Sequence, residues 1–171
     1  DLDIILGQGT VSLEVINEIK NLDYAFISIG GGGLISGMSC VLKQINPDIK
    51  IIGVEPQNSN VMTKSISANN PEDFDTLNNK TIADTLAAPF AGKITFEYVK
   101  KYVDQIINVS EDEMIESLRI MIERLKIVPE PAASACFVPI IFNKIRIPSN
   151  SKCLVVVCGG NIDLENIKRL F

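Results

Sequence analysis

The sequence predicts an α/β fold built on a parallel sheet. Three observations carry this reading. Short apolar runs rich in Ile and Val alternate with helical patterns, two of the runs end in glycine turns, and the spans between runs can hold a crossover helix. A length of 171 residues predicts a single domain over 1–171, large enough to bury a core. Hydrophobic residues at 46% and charged residues at 22% exclude disorder. The longest uncharged apolar runs, Val138 to Phe142 and Leu154 to Cys158, are far shorter than the roughly 20 residues that cross a bilayer, so no membrane partner is expected.

Taken in order, Thr10 reads as the cap of a helix whose apolar residues Val11, Leu13, Val15, Ile16 and Ile19 recur near helical spacing. Tyr24 to Ile29 is a buried strand, Gly30 to Gly33 follow with no polar linker, and Leu34 to Ile45 is a helix ending before Pro47. Ile49 to Val54 is the next strand, ending at Glu55-Pro56. The two strands begin about 25 residues apart, which suits a βαβ crossover and predicts parallel pairing. A helix is expected over Asn58 to Ala68 and a polar, Asn-rich loop over Asn69 to Lys80. Ile94 to Tyr102 reads as a helix and Gln105 to Val109 as a short strand. Ser110-Glu111-Asp112-Glu113 is a capping box opening a helix from Met114 to Lys126. Pro129-Glu130-Pro131 precedes a small-residue helix from Ala132, and Lys152 to Cys158 is the strongest strand signal, ended by Gly159-Gly160-Asn161.

A net charge of −5 and a pI near 4.8, with no basic cluster, exclude nucleic acid as a partner. The four cysteines form no CxxC pair and there is no histidine, which argues against a zinc site and removes Ser-His-Asp and Cys-His catalysis. Reduced thiols in a cytoplasmic protein are expected, and Asp1 to Leu6 lacks the basic start of a secretory signal.

Ligands of open α/β sheets bind beyond the carboxyl ends of strands, where both glycine turns fall. Without side chains, Gly30 to Gly33 let backbone amides and a helix N-terminus approach an anion, so a phosphate is the expected guest. Two phosphate chemistries compete. Gly31, Gly33 and Ser36 fit a G-x-G-x-x-small pattern, with Glu55 placed to hold a ribose hydroxyl, as in a Rossmann-type dinucleotide-binding domain. Against it stand four consecutive glycines and a second strand-glycine turn near the C-terminus.

Six segments in order, Gly7-Gln8-Gly9-Thr10, Gly30 to Leu34, Gly53-Val54-Glu55-Pro56, Thr81-Ile82-Ala83-Asp84, Glu130-Pro131-Ala132 and Cys158-Gly159-Gly160-Asn161, resemble the fold-type-II pyridoxal-phosphate enzymes. Within that class they are similar to the serine/threonine dehydratases (ammonia-lyases) and serine racemases. The resemblance implies a three-layer parallel-sheet sandwich, the partial large domain of the tryptophan-synthase-β-like fold. It implies pyridoxal 5'-phosphate as cofactor, its phosphate on the amides of Gly30, Gly31, Gly32, Gly33 and Leu34. Cys158, with Gly159 beside it, would face the ring nitrogen, and Glu130 would be an acid near the cofactor. A thiol does not hold the ring protonated as a carboxylate would, which favours β-elimination from L-threonine or L-serine to a 2-oxo acid and ammonia.

The chain departs from the family's pattern at three places. Thr85 stands where the family commonly has Gly after Asp84. The family's divalent-cation site would draw on Glu55 and the carbonyl of Ser59, but Val61 offers no second carboxylate, so water would have to replace it. The Schiff-base lysine and its Ser-x-Lys segment match nothing here, and none of the 12 lysines lies in that context. The chain is therefore expected to be the C-terminal portion of a longer enzyme, its partner the N-terminal catalytic-lysine half, with self-association covering exposed apolar surface. Serine racemase, the dinucleotide-binding domain and a non-catalytic binding or assembly fragment are the alternative functions.

Overall fold

The computed structural model describes residues 1–71 and 80–171, so most of the Asn-rich loop expected over 69–80 lies outside the described residues. Among the described residues, β1 (Tyr24–Ser28), β2 (Lys50–Pro56), β3 (Gln105–Val109) and β4 (Cys153–Val155) form one sheet in the order β3-β2-β1-β4. Every pairing is parallel, with Phe26 opposite both Ile52 and Val155.

The helices are α1 (Leu2–Glu18), α2 (Gly33–Ile45), α3 (Val61–Ala68), α4 (Lys93–Tyr102), α5 (Glu111–Ile120), α6 (Pro131–Ala135), α7 (Val138–Ile141) and α8 (Leu164–Leu170). Alternate residues of the central strands face opposite layers, as the two-residue period of a strand requires. Ala25, Ile27 and Ile51 join Ile35 and Met38 of α2, Met62 of α3 and Phe96 of α4 on one face. Phe26, Ile52 and Val54 join Met114 of α5, Ala132 and Ala135 of α6 and Val138 of α7 on the other. Burial on both sides explains why β1 and β2 read as continuous apolar runs. The result is the three-layer sandwich the sequence implies.

The chain steps outward from β1 to β2 to β3, then returns to place β4 on the opposite side of β1. That reversal makes the carboxyl ends of β1 and β4 a topological switch point, where open α/β sheets take their ligands.

Two expectations are corrected. Thr10 does not cap a helix, because α1 begins eight residues earlier, capped by Asp1, and Thr10 Oγ1 donates to the Gly7 carbonyl within it. The Gly7-Gln8-Gly9 segment is helical because α1 and α2 cross there backbone to backbone. A Cβ at Gly37 would lie 2.2 Å from the Ile5 carbonyl oxygen and 2.6 Å from the Gly9 nitrogen. The last strand is also shorter than expected. After Val155 only Val156 adds a bond, to Phe26 O at 3.1 Å, before the chain leaves the ladder. In the described sheet β4 is an edge strand, its residues half-buried, so the apolar run to Cys158 meets no second neighbour to extend pairing.

The expected cap at Ser110 is present in full: its Oγ accepts from Glu113 N at 3.2 Å, and Glu113 Oε2 accepts from Ser110 N at 2.8 Å. The helix it opens finishes in a π-helical turn, Met121–Leu125, and stops at Lys126 with φ 58°.

Candidate cofactor-binding site

β1 delivers the chain into the glycine loop, and α2 leaves it with no side chain capping its first turn. The helix-initial amides after Gly32 thus lack side-chain acceptors at the positive end of the helix dipole, the arrangement an anion completes. The glycines divide by what surrounds them. Gly32 has φ 86°, and a Cβ there would lie 2.9 Å from Met62 Cε and 3.0 Å from Thr95 Cβ, so it must be Gly. At Gly30 a Cβ would press on Leu86 Cα and the Thr85 carbonyl, both at 3.2 Å. Gly31 differs, since a Cβ there meets nothing within 4 Å. Open space therefore lies beside Gly31, between two tightly packed neighbours.

Thr95 is the residue the sequence analysis missed. Its Oγ1 donates to Gly31 O at 2.8 Å or to Gly92 O at 3.0 Å, tying the loop carbonyl into the protein. Its signal was slight: a β-branched polar residue in the first turn of α4, three residues after Gly92.

At the end of β4, Cys158 Sγ lies 3.4 Å from Ser28 Oγ, the last residue of β1. Burial pushes the Cys158 thiol above its ordinary value and the Glu130 charge adds to this, against the Ser28 hydrogen bond, so the group is a neutral thiol at pH 7. Glu130 is itself buried. Its Oε1 accepts from Thr85 Oγ1 at 2.9 Å, its Oε2 from Asn161 N at 3.2 Å, and its own N–H donates to Gly159 O at 3.1 Å. Gly159 must be small, since a Cβ there would sit 2.6 Å from Glu130 Cδ.

The structure thus joins Gly30, Gly31, Gly32, Gly33 and Leu34 at one strand end, and Cys158, Gly159 and Glu130 at the neighbouring one, linked through Ser28 and Thr85. Glu55 and Ser59 lie beneath this surface. Glu55 is fully buried, its Oε1 accepting from Met62 N at 2.8 Å and its Oε2 from Thr63 N at 2.9 Å and Thr63 Oγ1 at 2.6 Å. Burial raises its carboxyl to about 7 despite these bonds. Ser59 Oγ donates to Leu86 O at 3.3 Å. A ribose hydroxyl has no access to Glu55, which overturns the role the dinucleotide reading gave it. The donor set does not fit a divalent cation either. Both Glu55 oxygens serve α3, Val61 supplies no carboxylate, and no group of three or more His, Cys, Asp or Glu gathers among the described residues.

Fold and site together define an α/β protein with a glycine loop at an uncapped helix N-terminus and a neutral thiol at one switch point. The family model for pyridoxal-phosphate dependent enzymes matches residues 1–159, and the chain belongs to that family. It is 37% identical over 170 residues to the L-threonine ammonia-lyase of Thermotoga maritima, covering 99% of this chain and 41% of that protein. To the catabolic L-threonine dehydratase TdcB of Escherichia coli K12 it is 35% identical over 171 residues, covering 99% of this chain and 51% of that one. The structure of maize serine racemase superposes with a TM-score of 0.88 at 33% identity, over 96% of this chain and 50% of the racemase. The chain therefore spans about half the length of the relatives it matches. No described helix is long and apolar enough to cross a membrane.

Proposed function

We propose that this chain is the C-terminal, cofactor-phosphate-binding portion of a pyridoxal-phosphate-dependent L-threonine or L-serine dehydratase that eliminates the β-hydroxyl to give a 2-oxo acid and ammonia. The observation that carries the reading is the uncapped glycine cradle at Gly31 beside a neutral thiol at Cys158. Two different site chemistries at adjacent strand ends suit a ligand with a phosphate at one end and a basic ring nitrogen at the other.

When bound, pyridoxal phosphate supplies an electron sink for charge developing at the substrate Cα. The residues of this chain hold and orient it. Amides of Gly30 to Leu34 bind the phosphate, and Thr95 keeps the Gly31 carbonyl out of its way. Cys158 offers the ring nitrogen a hydrogen bond without a formal charge, with Ser28 orienting the thiol. Glu130, held at both oxygens, fixes the Gly159 turn. Four unpaired cysteines suit a cytoplasmic location. The catalytic lysine and the grip on the substrate carboxylate would come from the part of the relatives' length this chain does not span, and assembly into a homo-oligomer would cover exposed apolar residues such as Leu6 and Leu13. Racemisation is the close alternative, supported by the likeness to serine racemase; it needs a second base from that same portion.

Gly31→Asp in the full-length gene product tests the reading. A Cβ there meets nothing within 4 Å, so the fold should persist while a carboxylate is placed at the glycine loop. Loss of pyridoxal-phosphate retention and of ammonia release from L-threonine and L-serine is expected. Retention equal to wild type would sink the assignment. The 171-residue chain by itself, given cofactor and substrate, should release no ammonia.

A further inference from the structure

Thr85 occupies a position that joins the two ends of the site. Thr85 is exposed, yet its hydroxyl donates to the buried Glu130 at 2.9 Å. Its backbone faces the other way, with the Thr85 carbonyl and Leu86 Cα at the limit of contact with Gly30. The short 3-10 turn containing it, Asp84–Leu86, is pinned on one side by Ser59 Oγ on Leu86 O. On the other side the Thr85 hydroxyl is the pin. Among the described residues Glu130 makes no ion pair with Lys or Arg, so two donors, this hydroxyl and Asn161 N, hold its carboxylate.

We propose that Thr85 is a positioning residue: its hydroxyl locks the Glu130 carboxylate against the Gly159 turn and, by fixing the Asp84–Leu86 turn, sets the floor on which Gly30 of the phosphate cradle rests. One side chain thus couples the ring end of the site to its phosphate end. The proposal rests on the reading of this site as the seat of pyridoxal phosphate. A glycine at this position leaves Glu130 Oε1 without its hydroxyl donor, so the threonine gives this chain a constraint of its own. Hydrogen bonds to charged groups are worth about ten- to a hundredfold in an equilibrium constant, which sets the size of the expected effect.

The test compares Thr85→Val and Thr85→Ser with wild type in the full-length gene product, measuring the dissociation constant of pyridoxal phosphate from the apo-protein, the absorption maximum of the bound cofactor, and thermal midpoint. Valine keeps the shape and removes the donor; serine keeps the donor. Thr85→Val is expected to weaken cofactor binding about tenfold or more and to shift the absorption maximum, because an untethered carboxylate changes the charge near the ring. Thr85→Ser is expected to match wild type in both and in the thermal midpoint of the apo-protein. Thr85→Val binding within twofold of wild type with an unshifted spectrum would overturn the proposal, as would a serine variant as impaired as the valine one. A wild-type protein that does not bind pyridoxal phosphate would instead refute the cofactor assignment, and the coupling role would fall with it.

Discussion

Glu55→Gln isolates the energetic consequence of burying a carboxyl group near the end of β2. Glu55 is fully buried, and desolvation raises its carboxyl from 4.5 to about 7, outweighing the bonds from Thr63 and Met62 that favour the ionised form. The folded-state value exceeds the unfolded one, so the folded protein holds a proton that the unfolded chain releases. Stability from this group is complete below about pH 4.5, declines as pH rises through the interval to about 7, and then levels off. A displacement of this size corresponds to about 3 kcal/mol across the window. Glutamine does not titrate. It loses one acceptor to the α3 amides, a cost that is the same at every pH and appears as a constant offset. Urea unfolding of both proteins at intervals from pH 4.5 to 8.5 should show the variant gaining on wild type by up to about 3 kcal/mol as pH rises, while the surface carboxylates cancel in the difference. Magnesium should leave the wild-type curve unchanged, since both Glu55 oxygens are engaged by α3. Parallel curves would refute the reasoning.

Gly37→Ala should destabilise by about 3 kcal/mol or more in a denaturant melt, because the added Cβ overlaps the Ile5 carbonyl at 2.2 Å and backbone cannot rotate aside; a loss below about 1 kcal/mol would mean α1 and α2 do not cross as described. On the proposed function, Cys158→Ser should preserve elimination in the full-length enzyme, as both groups are neutral partners for Ser28 and would be for a ring nitrogen. Cys158→Asp should slow elimination relative to deuterium exchange at Cα, and an unchanged ratio would reduce Cys158 to a strand-end packing residue.

Local signals were legible where one principle dominated. The Ser110 capping box needs only neighbouring residues, and both of its hydrogen bonds are present. Gln105–Val109 stands at its expected bounds because Asp104 and Ser110 flank a short apolar alternation. The glycine loop was readable from its clamped flanks. What failed depended on partners distant in sequence. Thr10 imitates a cap but lies inside α1, and Gly9 answers to the close crossing with Gly37, 28 residues away. Glu55 ends a strand in the manner of a ribose ligand, yet α3 folds back over it and takes both oxygens. Thr95 touches Gly31 across 64 residues, and no periodicity announces such a bond.

The two ends of the site are built to different stiffness, and this follows from their places in the sheet. Gly30 and Gly32 are hemmed by backbone and side chains from three elements, the Asp84–Leu86 turn, α3 and α4, and Thr95 binds the carbonyl between them. Any displacement there must disturb packed neighbours, so the loop's geometry is fixed by the packing of the chain itself. Cys158 follows a three-residue strand at the described sheet's edge, beside Val157 at 45% exposure, and is held sideways by Ser28 and by the Glu130 contacts to its neighbours. Under the proposed cofactor reading, the tightly packed glycine loop would engage the phosphate first, and the less firmly held thiol would follow, its neighbour Glu130 tethered by the Thr85 hydroxyl.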